Sequence, residues 1–326
     1  MISTLSTADI FAPIQTDLQA VEAKMREAAL TNQNSALTSA LEHLLASGGK
    51  RVRPAVALLS ARLFDADPSR AVALAAAIEM LHTATLVHDD LIDGSLLRRG
   101  LPTLNAQWTP GATVLTGDFL FARAAALASE TDSVRVMNVF SRTLMIIVNG
   151  EINQMFVGRG QASREGYLQR IYAKTASLFA VAAEAASILG EADEHTIGAM
   201  RHFGREVGMA FQIVDDILDF TGDEAVLGKP VGSDLRQGLF TLPVLIYLDK
   251  YPDDRDVAAL LNGRAGDAER VDRVVQGVRD SGAIGLALDE AKAYVARAQA
   301  SLAAMPANPC RHALSDLAEY FVSRKV

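Results

Sequence analysis

Two short stretches of this chain carry the same arrangement of carboxylates. His88-Asp89-Asp90-Leu91-Ile92-Asp93 and Val214-Asp215-Asp216-Ile217-Leu218-Asp219 both spell D-D-x-x-D. On a helix, residues four apart share a face, so Asp89 pairs with Asp93 and Asp215 with Asp219. Both stretches lie among Leu, Ile and Val. Carboxylates turned toward apolar surroundings cannot all stay ionised without compensation. Neither stretch contains a Lys or Arg, which leaves divalent cations. All-oxygen ligation suits a hard ion, and ligation left incomplete by the protein suits Mg²⁺ with waters and phosphate oxygens. A single D-D-x-x-D is commonly a solvated acidic face. Two copies, each in an apolar helix and each followed by a basic, Gly-containing loop, point to a shared task.

The basic residues fit the same chemistry. Lys50, Arg51 and Arg53 come from GGKRVRP, and Arg98 and Arg99 follow the first acidic stretch. Lys174 and Thr175 fall at an expected break between two helices, and Lys229 follows the second stretch. Separate groups of cations and carboxylates suit a polyanionic ligand. Mg²⁺ would bridge the carboxylates to a diphosphate while Lys and Arg bind its other oxygens. His88 reads as a buried helical residue that positions its neighbours. Cys310 and the methionines read as packing, and Trp108 receives no role.

These residues need helices to hold them. Ile14, Leu18, Val21 and Met25 share one face of a first helix. Val52 to Phe64 reads as a second helix. Ser69 to Asp93 is apolar almost all round and should be central. A polar loop runs from Gly94 to Pro110. Helices are expected at about 112–129, 133–157, 165–189 and 194–221. A Gly-, Asp- and Lys-rich loop spans 222–238, and helices follow near 239–250, 255–263, 268–280, 284–304 and 309–323. Strand-type alternation is missing. The expectation is one all-α domain, a helical bundle.

Composition narrows the function. Half of the 326 residues are hydrophobic and only 6% aromatic, which favours helix-on-helix packing. The net charge of −8 argues against general nucleic-acid binding. A single cysteine excludes a disulfide framework and a cysteine-based zinc site. The start of the chain lacks a basic, apolar leader, and no apolar run of about 18 residues is evident, so a cytosolic protein without a membrane span is expected.

In order along the chain, GGKRVRP, EMLHTATLVHDDLIDGSLLRRGLPTLN, GDFLFARA, NGEINQ, KTASLF, FQIVDDILDF and LGKPVGSDLRQG resemble the head-to-tail trans-prenyl diphosphate synthases. The resemblance implies an all-α fold around a deep cavity and a homodimer. It implies condensation of isopentenyl diphosphate with an allylic diphosphate, with three Mg²⁺ ions when substrate is bound. By the same resemblance, Asp89 and Asp93 hold Mg²⁺ with Asp90 beside them. Asp215 holds a further ion, supported by Asp216 and Asp219. Arg98, Lys174 and Lys229 bind the allylic diphosphate, and Lys50, Arg53, His82 and Arg99 bind isopentenyl diphosphate. Thr175 and Gln212 line the reacting centre. Leu239 departs from the pattern, standing where many relatives carry Lys.

The product is expected to grow toward the N-terminus of the third helix. A bulky aromatic at Ala84 or Thr85 would block it, with Leu81 and Ile78 lying deeper. The stretch from Asp89 back to Ala71 is about 27 Å of helix, room for a product of roughly thirty to fifty carbons. Met145, Ile146 and Val148 are candidates for a facing wall. The first acidic stretch also lacks the two-residue insertion common in many bacterial geranylgeranyl-type enzymes. Four other readings stand beside this one. One is a farnesyl or geranylgeranyl diphosphate synthase. Another is a terpene cyclase, which usually carries more aromatics and lacks GGKRVRP. The third is a non-catalytic subunit of a heteromeric synthase, which would tend to lose aspartates. The last is a di-metal carboxylate bundle, which needs two Glu-x-x-His motifs where only Glu79 with His82 is found.

Overall fold

Helices make up nearly all the secondary structure of the computed structural model, which describes residues 6–30, 34–46, 48–98, 100–156, 162–222, 230–262 and 267–323. They are α1 (Thr7–Phe11), α2 (Gln15–Leu30), α3 (Ser35–Ala46), α4 (Val52–Leu63), α5 (Pro68–Ile92), α6 (Leu104–Gln107), α7 (Pro110–Ser129), α8 (Val134–Phe156) and α9 (Arg164–Ile171). After a π-helical turn at Tyr172–Ala176 come α10 (Ser177–Leu189), α11 (Glu194–Thr221), α12 (Ser233–Arg236), α13 (Leu242–Lys250), α14 (Arg255–Leu261), α15 (Ala268–Asp280), α16 (Ala283–Leu302) and α17 (Pro309–Ser323). Among the described residues, the strands are β1 (Leu97–Arg98) and β2 (Leu101–Pro102), an antiparallel pair. The fold is all-α, as expected.

The chain divides into two compact units, Met1–Arg142 with Val181–Arg201 and Ala304–Leu314, and Thr143–Ala180 with His202–Ala303 and Ser315–Val326. The first is organised around α5. Asp67 caps this helix by accepting from the backbone N–H groups of Ser69 and Arg70, and Pro68 opens it. Its alanine-rich middle presents little bulk, so α2, α4 and α7 all pack against it. Most of α5 from Ala71 to Leu81 is buried. Length and hydropathy alone would let α5 and α7 pass as membrane spans, contrary to the expectation that no such stretch exists. Within this unit α5 is a core helix, and its apolar circumference meets protein rather than lipid.

In the second unit α16 packs on α13 and α15. Phe179, Phe211 and Phe321 form an aromatic cluster with ring centroids 4.9–6.2 Å apart. Here α11 approaches the π turn and the start of α10 backbone to backbone. A Cβ on Gly204 would lie 2.2 Å from the Phe179 carbonyl oxygen, and one on Gly208 would lie 2.5 Å from Ala176 Cα.

Four local expectations change. The break expected at Lys174 and Thr175 is a π-helical turn continuous with α9 and α10. The loop after α5 folds into β1–β2 and α6, and the loop after α11 contains α12. Helix α3 was not expected.

Candidate active site

In the first unit, Asp89, Asp90 and Asp93 sit at the C-terminal end of α5, where the helix dipole is negative. Asp93 is the C-cap, its N–H bonded to the Asp89 carbonyl at 2.8 Å, and Gly94 leaves the helix at φ 64°. The last turn contains no basic residue. Carboxylates at this end of a helix therefore need positive charge from elsewhere. Arg98 supplies part of it from β1: its Nε donates to both Asp90 oxygens at 3.0 Å and its Nη2 to Oδ1 at 2.8 Å. Asp89 and Asp90 are buried, and Asp93 is exposed. His88, expected to be buried, is half-buried. Its Nε2 lies 3.1 Å from the Val114 carbonyl and 3.5 Å from Asp118, and its ring packs on Phe121.

The GGKRVRP segment reaches the same helix. Arg53 Nη1 donates to His82 Nε2 at 3.2 Å, which joins two of the expected diphosphate-binding residues. Lys50 lies in an exposed, non-helical stretch just before α4. Arg51 turns inward to Glu79 on α5 at 3.0 Å. Glu79 and His82 are thus each engaged by an arginine, and the one Glu-x-x-His motif is not a di-metal ligand set. Leu81 and Ala84 are fully buried, whereas Thr85 is half-buried with its hydroxyl on the His82 carbonyl. Ala84, expected to bear on a product channel, is therefore packed into the unit. Met145 and Val148, expected as channel wall, are exposed on α8. Arg99 and Lys229 lie outside the described residues.

In the second unit the residues converge on the π turn. The extra residue in such a turn re-aims the side chains around it. Gly150 of α8 lets the turn come close, since a Cβ there would meet Ala173 Cβ at 2.5 Å. Lys174 pairs with Glu151 at 3.1 Å. The Thr175 hydroxyl donates to Gln212 Oε1 at 2.7 Å, and Gln212 Nε2 donates to Asp216 Oδ1 at 2.8 Å. The buried Tyr167 hydroxyl completes the chain, donating to Asp216 Oδ2 at 2.7 Å. Burial, with the Asp234 charge nearby, pushes the Asp216 carboxyl up to about 8. Burial and Asp216 hold the Tyr167 phenol well above its ordinary range.

The acidic residues of α11 do not act as one face. Asp215 is half-buried, beside Gln212 on the more open side of the helix. Asp219 is only 1% exposed. Its Oδ2 accepts from the Asp234 N–H at 3.1 Å and its carbonyl from the Gly232 N–H at 2.9 Å. Asp219, expected to bind metal, also holds the loop that enters α12 through Oδ2 and its carbonyl. Leu239 is tied to that loop through its N–H on the Asp234 carbonyl at 2.9 Å. Tyr167 was not singled out from sequence, and Glu79 was noted only as half of a Glu-x-x-His motif. Their partners lie far along the chain, and no local pattern marks the contacts.

Carboxylate oxygens are hard donors and suit Mg²⁺. Among the described residues, no three His, Cys, Asp or Glu side chains converge as a metal-holding group. A cation held by these aspartates takes further ligands from water or from the oxygens of a bound anion, the arrangement Mg²⁺ favours.

A helical fold with two Asp-rich helix ends and cationic partners is a polyanion-handling design, and the comparisons identify it. A polyprenyl synthetase profile matches residues 34–278, and the chain belongs to that family of prenyltransferases. The heptaprenyl diphosphate synthase component 2 of Geobacillus stearothermophilus is 39% identical over 317 residues, 97% of this chain and 98% of that protein. The octaprenyl diphosphate synthase of Escherichia coli is 35% identical over 86% of this chain and 88% of its own. Among solved structures, a polyprenyl synthase of Caulobacter crescentus complexed with calcium and isoprenyl diphosphate superimposes with a TM-score of 0.93 at 37% identity, covering 100% of both chains.

Proposed function

We propose that this chain condenses isopentenyl diphosphate head-to-tail with an allylic diphosphate, releasing pyrophosphate and giving a long all-trans polyprenyl diphosphate. The observation that carries the reading is the acidic end of α5. Buried carboxylates stand there at the negative pole of a helix, with Arg98 already bidentate on Asp90. Such a place is built to gather cations and, through them, phosphate oxygens.

Asp89 and Asp93 would hold Mg²⁺ and Asp215 would hold a further ion; bound Mg²⁺ would supply positive charge to a departing pyrophosphate. Arg98 in the first unit, and Lys174 in the second, are each suited to bind diphosphate oxygens. Their charge counts most as the allylic C–O bond breaks and negative charge grows on the leaving group. Thr175 and Gln212 form a fixed polar wall beside the reacting carbons. Lys50, Arg53 and His82 hold the diphosphate of isopentenyl diphosphate so that its double bond meets the allylic cation. The new C–C bond leaves positive charge on the adduct, which a proton loss to the released pyrophosphate discharges. Apolar helices keep water from the cation. The hepta- and octaprenyl names of the relatives support a long product.

The same reading makes the chain a single catalytic domain and a homodimer. Met145, Val148, Ile152, Met155 and Phe156 form an exposed apolar stripe along α8 at three- and four-residue spacing. A second copy would cover it. The Geobacillus relative is named as one component of a synthase, so a different subunit is the competing occupant.

The deciding experiment incubates the purified chain alone with Mg²⁺, isopentenyl diphosphate and farnesyl diphosphate, and separates the products by chromatography against standards. A ladder ending in one long product supports the reading. A hydrocarbon ring product would establish a cyclase, and no turnover without a second protein would establish a subunit of a heteromer.

A further inference from the structure

Arg51 is a cation inside the GGKRVRP segment that does not face a ligand. It is a non-glycine residue with φ 48° and ψ 30°, left-handed backbone that disfavours a side chain, at the N-cap of α4. Something must hold it there. Its Nη1 donates to Glu79 Oε1 at 3.0 Å, its Nε to Glu22 Oε1 at 3.2 Å, and its Nη2 reaches the Leu45 carbonyl at 3.5 Å. The guanidinium is thus surrounded by acceptors of the protein itself. Glu79 is buried on α5, and one turn later on that helix His82 receives Arg53. The two arginines therefore form two rungs between the same segments, Arg51 on Glu79 and Arg53 on His82.

The rungs differ in kind. The Arg53–His82 rung belongs to residues assigned to isopentenyl diphosphate. The Arg51–Glu79 rung is a largely buried pair of opposite charges, which specifies geometry more than it adds stability. It fixes Arg51 in the left-handed conformation at the point where the chain turns from Lys50 into the helix that carries Arg53, and so bears on the directions in which those two cations leave the chain. We propose that the Arg51–Glu79 pair is a positioning device for the isopentenyl diphosphate site, holding Lys50 and Arg53 in register with His82. This rests on the functional reading above.

The test varies each substrate separately in steady-state kinetics. Arg51→Met and Glu79→Met each strand a buried charge and will lose stability, so the informative variant is the double Arg51→Met/Glu79→Met, which removes both charges. Thermal melting checks that it folds. The expected result is a KM for isopentenyl diphosphate raised about tenfold or more, with the KM for the allylic diphosphate unmoved and kcat within about threefold. Arg51→Lys should fall between wild type and the double variant, because it keeps the charge and loses the fork. An active wild type whose double variant keeps both KM values overturns this inference alone. So does a double variant in which both KM values and kcat worsen together with the melting temperature. A wild type that does not consume isopentenyl diphosphate overturns the functional reading and this inference with it.

Discussion

The Tyr167 hydroxyl donates to Asp216 Oδ2 at 2.7 Å across 49 residues of sequence, and it anchors a chain that runs through Gln212 to Thr175. Tyr167 and Asp216 are both buried, so neither can exchange the other for water. Without this anchor Asp216 is free to turn, and Gln212 turns with it. Tyr167→Phe is expected to cost about 1–3 kcal/mol of stability, the range for losing one partner of a buried polar group. It should lower kcat more than it changes the KM for isopentenyl diphosphate, whose expected ligands Lys50, Arg53 and His82 belong to the other unit. Denaturant unfolding and steady-state kinetics on the same preparation check both. A variant that melts earlier but turns over normally would leave Tyr167 a purely structural residue.

His88 and Gly117 make a second pair with a measurable coupling. A Cβ on Gly117 would fall 2.2 Å from His88 Nε2, and the ring has little room to move, being packed on Phe121 and bonded to the Val114 carbonyl. Gly117→Ala should therefore overpack the α5–α7 contact and destabilise by about 1–3 kcal/mol. It should also shift the residue next to Asp89 and slow the reaction. In Gly117→Ala/His88→Ala the clash is gone, so the double variant should be more stable than the sum of the single effects predicts. Additive effects in a double-mutant cycle would rule out the contact as the cause.

The elements that could be read from sequence are those with strong local punctuation. The pattern around α11 marks Glu194–Thr221, and α15 and α17 run over the residues their apolar spacing marks. Helix α5 begins at Asp67-Pro68, one residue before its expected start. What could not be read depends on distant partners. Helix α3 is short and rich in Ser and Thr, and its cap is Asn34, which accepts from the N–H groups of Ala36 and Leu37. The π turn at Tyr172–Ala176 has no sequence signature of its own; its close neighbours Gly150 and Gly208 come from two other helices. The spacing of the aspartates did not reveal their partners. Asp219 Oδ2 accepts from the Asp234 N–H, a contact set by the loop rather than by D-D-x-x-D.

The apolar stripe of α8 predicts assembly behaviour. Phe156 and Ile152 are exposed at 82% and 45%, and a charge at either would be solvated in a monomer but buried unpaired in a dimer. Ile152→Glu and Phe156→Glu should leave the melting temperature of the isolated chain nearly unchanged at low concentration and weaken self-association. Sedimentation velocity over a concentration series would show the shift toward monomer. Unchanged association in both variants would place the contact between copies elsewhere.

Product length separates two neighbouring positions that sequence treats alike. Thr85 is half-buried on the side of α5 that also carries His82, while Ala84 has no exposed surface at all. A phenylalanine at 85 starts from a half-buried position and, if the growing chain runs along that face, stands in its way. One at 84 has to displace packed neighbours, at about 1–3 kcal/mol. Thr85→Phe is therefore expected to shorten the product with little loss of stability. Ala84→Phe is expected to lower the melting temperature, and to shorten the product only if the helix rotates to relieve the clash. Chromatography of products made from radiolabelled isopentenyl diphosphate, beside thermal melts of both variants, decides the matter. If Thr85→Phe keeps the wild-type product while folding normally, the growing chain does not run along that face of α5.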